Sequence, residues 1–270
     1  MTAKWITRFS LAATASLVVA CGGGQERSAP AASTPAPTPA AVAAAPADTE
    51  ADSVSDYMVI EVKSGGKLEG KVIFTGAAPT PTMVEITKDI EVCHEEKKIL
   101  NVKVDANGGL AEAVVWIDGI KEGKDWGNTD GEVDQKDCEY QPHVQAIAAV
   151  GKLTIKNSDA LLHNIHGKFA GESLFNVAQP AGAAEIPKKL KKVGPVELQC
   201  DVHSWMKAWV FVAPHPYYAV TNSEGGFEIK DVAAGTYTVK VWHEELGEQE
   251  MQVTVAPDAA ATTNFNYPKL

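Results

Sequence analysis

From Met58 onward the apolar residues of this 270-residue chain come in short runs set close to Gly, Pro, Asn or Asp, and they never keep a long helical period. Val59-Ile60-Glu61-Val62, Gly70-Lys71-Val72-Ile73-Phe74 and Ala113-Val114-Val115-Trp116-Ile117 are β-branched or aromatic runs of strand length. Gln145 to Val150 and Lys152 to Lys156 form two more, turning at Gly151. Val196 to Gln199 leads into a short loop and Trp209 to Val212 leads out of it, while Gly226 to Ile229, Tyr237 to Trp242 and Met251 to Val255 alternate apolar with polar. Many short strands with frequent turns predict an all-β, sandwich-type architecture. Ala181 to Lys192 is rich in Ala and Lys, but Pro187 limits any helix there, so a loop with at most a helical turn is expected.

The loop between Gln199 and Lys207 carries the chemistry. In Cys200-Asp201-Val202-His203-Ser204-Trp205-Met206 a thiolate, an imidazole and a thioether recur at intervals of three. Soft sulfur ligands with imidazole favour copper, and a Cys/His/His set with a weak axial Met is the blue-copper arrangement. A second His is available upstream, at His163 in Asn157-Ser158-Asp159-Ala160-Leu161-Leu162-His163-Asn164, with His166 as the competing choice.

The N-terminal region reads as an address. Lys4 and Arg8 precede a short apolar stretch, Phe9 to Ala20, which is too short to span a bilayer. It ends in Val18-Val19-Ala20-Cys21, which resembles the bacterial lipobox. The resemblance implies a signal peptide over 1–20, cleavage before Cys21 and lipid on its sulfur. Residues 21–57, low in large apolar groups and rich in Ala and Pro, are expected to be a disordered tether. The expected location is the bacterial cell envelope, lipid-anchored and facing the periplasm or the exterior.

That setting makes the four cysteines informative. With Cys21 acylated three remain, and an oxidising compartment would pair Cys93 with Cys138 and leave Cys200 free for metal. The competing arrangement pairs Cys200 with one of the other two and abolishes the metal site.

The formal net charge is −11, and Lys4 and Arg8 are the only charges before Cys21, so the rest of the chain holds 22 basic against 35 acidic residues. Such a surface argues against nucleic acid and toward a basic protein partner.

Residues 138 to 212 resemble the cupredoxin family. One part of the likeness is Gly151-Lys152-Leu153-Thr154-Ile155-Lys156-Asn157-Ser158-Asp159 followed by His163-Asn164-Ile165. The other is Cys200-x2-His203-x2-Met206 after a strand, with a spacing similar to that of amicyanin. The resemblance implies a Greek-key β-sandwich holding one type 1 copper, with His163, Cys200 and His203 equatorial and Met206 axial. It also implies that Asn164 ties the two ligand segments together. It implies an exposed His203 that conducts electrons through an apolar patch including Trp205; the acidic surface suggests a basic redox partner such as a c-type cytochrome.

Ala219 to Phe227 and Ala234-Gly235-Thr236-Tyr237-Thr238-Val239 resemble the carboxypeptidase regulatory-like, transthyretin-like β-sandwich, and Gly66 to Val72 looks like that family's opening strand. The expected organisation is a copper domain with an N-terminal β extension over 58–213, and a second small sandwich over 214–270 that strands from 66–88 would complete.

The remaining histidines, His94, His143, His215 and His243, read as structural or solvent-exposed. Trp209, Phe211, Tyr217, Tyr218 and Trp242 read as inter-domain core. A dinuclear copper loop would need Cys where Val196 stands, and His-x-His pairs, a Gly-x-Ser-x-Gly elbow, a phosphate loop and a dinucleotide fingerprint are absent. The expectation is therefore a non-enzymatic carrier of single electrons. The alternatives are a copper buffer or delivery protein, and a metal-free envelope scaffold.

Overall fold

A computed structural model describes residues 56–268. The signal peptide over 1–20, the lipidation of Cys21 and nearly all of the tether lie outside the described residues. Tyr57, placed at the tether's end by sequence, instead packs edge-on against Trp126 and Tyr217, and its hydroxyl donates to the Lys124 carbonyl at 2.6 Å.

The all-β class expected from the sequence is what the structure shows. The strands form two sandwiches that share a seam. In the first, a four-stranded sheet in the order Ile186–Lys188, Leu153–Asn157, Gly131–Lys136, Glu139–Gln141 faces a five-stranded sheet. The five-stranded order is Glu172–Gln179, His163–Phe169, Gly194–Gln199, Lys207–Ala213, Val144–Ala148. Gly151 thus turns the chain from one sheet to the other. Ile186–Lys188 pairs antiparallel with Leu153–Ile155, so the segment expected as a loop supplies an edge strand. Pro187 is tolerated there because an edge position can spare a backbone donor. Val133, Leu153, Ile155, Ile165, Val196, Leu198, Val210 and Val212 fill the interior.

The second sandwich is assembled from distant parts of the chain. Gly66–Thr75 lies between Gly226–Val232 and Ala260–Pro268, antiparallel to the former and parallel to the latter. The opposing sheet runs Tyr218–Val220, Val114–Ile117, Gly235–His243, Gly247–Val255. The domain boundary therefore does not fall at residue 213. Gly66–Thr75 and Val114–Ile117 belong with the C-terminal strands, and the first sandwich is inserted between them. Gly70 is required by close approach, since a Cβ there would lie 1.6 Å from the Thr263 carbonyl oxygen.

Val114–Ile117 explains its own composition. All four residues are buried, Val115 and Ile117 in the second core, Val114 and Trp116 against Phe211, Val144 and Ala213 of the first sandwich. A strand covered on both faces reads as a continuous apolar run. Trp209, Tyr218 and Trp242 line the same seam, whereas Tyr217 belongs to the second core.

A third feature sits on the end of the first sandwich. Thr82–Glu85 and Glu96–Ile99 form an antiparallel hairpin with one helical turn, Ile90–Cys93, at its tip. Ile86 and Cys93 are buried in the first core. Residues 82–85, expected to complete the second sandwich, thus pair within this strap instead.

Candidate metal centre

Two adjacent strand ends of the five-stranded sheet carry the ligand candidates. His163 opens the strand His163–Phe169, and Cys200 follows the strand Gly194–Gln199, which pairs with it antiparallel. The loop from Cys200 is closed by its own backbone: Cys200 N–H donates to the Met206 carbonyl at 3.2 Å, and Met206 N–H to the His203 carbonyl at 2.9 Å. This tight return points Cys200, His203 and Met206 inward, and all three are buried.

One ligand atom from each of His163, Cys200 and His203 lies within 4.8 Å of the others. The two Nδ1 atoms are 2.9 Å apart, and Cys200 Sγ is 3.7 Å from His203 Nδ1. Cys200 is a free thiol, while Cys93 and Cys138 are joined in a disulfide. His166 is elsewhere: its Nδ1 meets Asp201 Oδ1 at 3.1 Å and its Nε2 meets Ser173 Oγ at 2.9 Å.

Asn164 ties the two segments. Its Oδ1 accepts from Asp201 N–H at 2.8 Å and from Cys200 Sγ at 3.3 Å, and its Nδ2 donates to Asp201 and Asn176. The buried Tyr140 hydroxyl donates to the Asn164 carbonyl at 2.5 Å. Burial first, and then the neighbouring Cys200, hold the Tyr140 hydroxyl well above its usual phenol range, so it stays a neutral donor.

Both imidazoles are backed by carboxylates, and neither carboxylate was assigned a role from the sequence. His163 Nε2 meets Asp159 Oδ2 at 2.7 Å, and His203 Nε2 meets Asp89 Oδ2 at 2.9 Å. Asp159 also accepts from the N–H groups of Asp137 and Cys138, at 2.7 and 2.8 Å. Those two residues adopt φ of 55° and 53°, a left-handed pair that two hydrogen bonds to one buried carboxylate can hold. The i, i+4 spacing of Asp159 and His163 was a usable signal; Asp89 lies 114 residues from His203 and gave none.

The donor set can be tested for its fit to a cation. With each Nε2–H directed at a carboxylate, both Nδ1 lone pairs face one another across 2.9 Å, an arrangement that needs positive charge between them. Burial pulls the His163 imidazolium below its ordinary pKa; the Asp159 hydrogen bond opposes this and His203 adds to it. A metal ion beside Cys200 Sγ satisfies both nitrogens, and a buried thiol with two imidazoles selects a soft or borderline ion. The residues present fit a copper ion held by His163, Cys200 and His203, with Met206 buried in the same loop.

One expectation from sequence is corrected. His203 is not exposed: its side chain has 0% exposure, covered by Asp89 on one side and by the Trp205 ring, 5.1 Å away centre to centre. Trp205 is not a free docking residue either, since its Nε1–H donates to the Cys138 carbonyl at 3.0 Å. The physical cause is the strap, which a chain without residues 82–99 would lack. A cleft of about 610 Å³ opens beside it, lined by Val84, Ile99, Tyr140, Trp205 and Met206 among others.

The other histidines stand apart from the centre. His94 is exposed, His215 is buried and held down to about 4 by burial, and His243 is buried. His143 joins the sandwiches through Glu244, which also accepts from Trp209 Nε1 at 2.6 Å.

Comparison with known proteins gives partial likenesses. The family model described as polysaccharide lyase family 4, domain II, matches residues 188–264, which run from the last strands of the first sandwich through most of the second. Among solved structures, a purple cupredoxin from Nitrosopumilus maritimus is 21% identical, covering 31% of this chain and 100% of that one, with a TM-score of 0.28. Amicyanin from Paracoccus versutus is 16% identical, covering 31% of this chain and 80% of that one, with a TM-score of 0.28. A copper-containing nitrite reductase from Thermus scotoductus SA-01 is 16% identical over 31% of this chain, which spans only 22% of that enzyme, with a TM-score of 0.27. No curated protein matches.

Proposed function

We propose that this chain is a cupredoxin-like protein holding one type 1 copper and carrying single electrons between redox partners in the bacterial envelope. The carrying observation is the convergence of two buried imidazole Nδ1 atoms on one buried free thiol, each imidazole backed by a carboxylate. Copper bound there supplies a one-electron redox couple.

The chain's own residues do the rest. The carboxylates accept from the two Nε2–H groups, hold both rings with Nδ1 free for metal and raise the basicity of those nitrogens. Asn164 locks the Cys200 segment to the His163 strand, so the donors are placed before the ion arrives. A preset cage keeps rearrangement on electron gain or loss small. The disulfide, the anchor at Cys21, the envelope location and a basic partner such as a c-type cytochrome belong to the same reading.

A second reading, copper storage or delivery, draws on the strap. A carrier of this type uses its loop His as an exit, and here that His is covered.

The test is the visible absorption spectrum of the chain after addition of Cu(II). An intense thiolate-to-copper charge-transfer band, lost in Cys200→Ala, is expected. Absence of the band in the unaltered chain would overturn the copper reading. Rapid copper exchange with an external chelator, with the band present, would favour delivery over electron transfer.

A further inference from the structure

The strap is fastened to the metal centre at three points. Its tip is covalently joined to the site through Cys93–Cys138. Its buried Lys97 ammonium donates to the Asp137 carbonyl and lies 3.5 Å from Glu139 Oε1. Its Asp89 carboxylate accepts from His203 Nε2 at 2.9 Å. The three contacts converge from one eighteen-residue hairpin, 82–99, onto residues 137–139 and the loop His.

The backbone at the tip is shaped for this. Asp89 has φ 55° and His94 φ 65°, so two left-handed residues bracket the helical turn Ile90–Cys93. The Asp89 side chain makes no capping bond to that turn. It is free to turn outward from its own element and meet His203, which is wholly buried while Asp89 remains 39% exposed. Asp89 therefore stands between the loop His and solvent on the strap's side.

We propose that Asp89 is a positioning residue for His203, fixing that ring with Nδ1 toward the metal and closing the loop-histidine face of the centre. The proposal rests on the copper reading above and applies equally to a carrier or a store. Asp89 acts through two separable properties. As an acceptor it prevents the ring from rotating away, which slows metal loss. As a negative charge next to a ligand it favours the more oxidised ion, which lowers the potential. The strap's disulfide and Lys97 contacts supply the rigidity that makes a surface carboxylate an effective partner for a buried ring.

The experiment compares the full chain with Asp89→Ala and Asp89→Asn. With copper bound, release to a chelator and the midpoint potential are measured. In Asp89→Ala, copper affinity should fall by about 10- to 100-fold, the range for loss of such outer partners, with faster release to the chelator, and the potential should rise. Asp89→Asn keeps an acceptor oxygen without the charge, so release should stay near that of the unaltered chain while the potential still rises. Unchanged release and potential in Asp89→Ala, with the charge-transfer band intact, would overturn the proposal. The metal-free protein supplies an independent reading by ¹H–¹⁵N NMR of the His203 ring. A slowly exchanging Nε2–H is expected in the unaltered chain and lost in Asp89→Ala. A chain with no charge-transfer band would remove the copper reading and with it the ligand-positioning role. An Nε2–H signal unaffected by Asp89→Ala would instead remove the pairing of Asp89 with His203 itself.

Discussion

The two sandwiches are built on the same plan and filled differently. The second is sealed by Leu68, Val72, Leu110, Val115, Ile117, Val239, Val241 and Phe265, with the polar ends of Tyr217, Thr221 and Tyr267 satisfied at backbone carbonyls. The first shares such a core but gives up one end to His163, His203, Asp159 and Asn164, all buried, with Gln135 and Gln179 behind them. Buried polar groups cost stability unless paired, and each buried polar side chain at that end has at least one partner. The difference teaches where polarity concentrates: His163, His203, Asp159 and Asn164 cluster at the one end where donors converge, and the added strap and disulfide brace that end.

The strongest way to break the comparison is to remove its buried carboxylate. Asp159→Ala strands three hydrogen-bond donors, at Asp137, Cys138 and His163, inside the first sandwich. It should destabilise the metal-free protein by about 3–5 kcal/mol, the range for breaking a buried charged network. Urea unfolding reads this directly, and a loss within error would mean the cluster is not a structural keystone.

An apolar counterpart lies in the second sandwich. Gly70→Ala places a methyl group 1.6 Å from a backbone oxygen, so the strand Ala260–Pro268 must move. The expected loss is about 3 kcal/mol, at the upper end for overpacking, with the charge-transfer band of the folded fraction unchanged. A shifted band would show that the two regions are coupled more tightly than their separate cores suggest.

The seam offers a finer test through pH. Burial lowers the His143 pKa, but the Glu244 carboxylate outweighs it and the net shift is upward. Burial raises the Glu244 pKa, but His143 and Trp209 bring it down overall. The His143 contribution is complete below its unfolded value near 6.5 and is lost as pH rises through the raised folded value. The Glu244 contribution is complete above about 4.5 and is lost as pH falls through the depressed one. The stability advantage of the unaltered chain over Glu244→Gln should therefore peak between about 4.5 and 6.5, at roughly 1.5–3 kcal/mol for charged hydrogen bonds, and shrink above neutrality. A difference that shrank neither above neutrality nor below about 4.5 would remove the ion pair from the seam's energetics.

The smallest expected effect separates the two candidate ligands. His166→Ala loses contacts to Asp201 and Ser173 at a half-buried site, worth about 1 kcal/mol or less, and should leave the copper spectrum as it was. His163→Ala should abolish it.

Much of this was legible in the sequence because it is local. The strands around Val196 and Trp209 follow from β-branched runs, and the Cys200 to Met206 spacing already places three donors on one loop. A place for Gly66 to Val72 beside the C-terminal strands was suggested only by its likeness to a transthyretin-like opening strand. What stayed hidden was long-range. Residues 82–99 show no ligand spacing, and Asp89 matters only because the hairpin folds back over a loop 114 positions away. His203 was expected at the surface because the resemblance covered only residues 138–212, and the covering piece lies before them. Val114–Ile117 likewise gave no sign of which sandwich it joined, since a strand buried on both faces has no polar side to orient it.

The measurement that bears most directly on the central claim is X-ray absorption at the copper edge of the copper-loaded full chain. The account predicts one short sulfur scatterer and two imidazole nitrogens, with the sulfur lost in Cys200→Ala. A copper shell of nitrogen and oxygen alone, unaffected by that substitution, would contradict it.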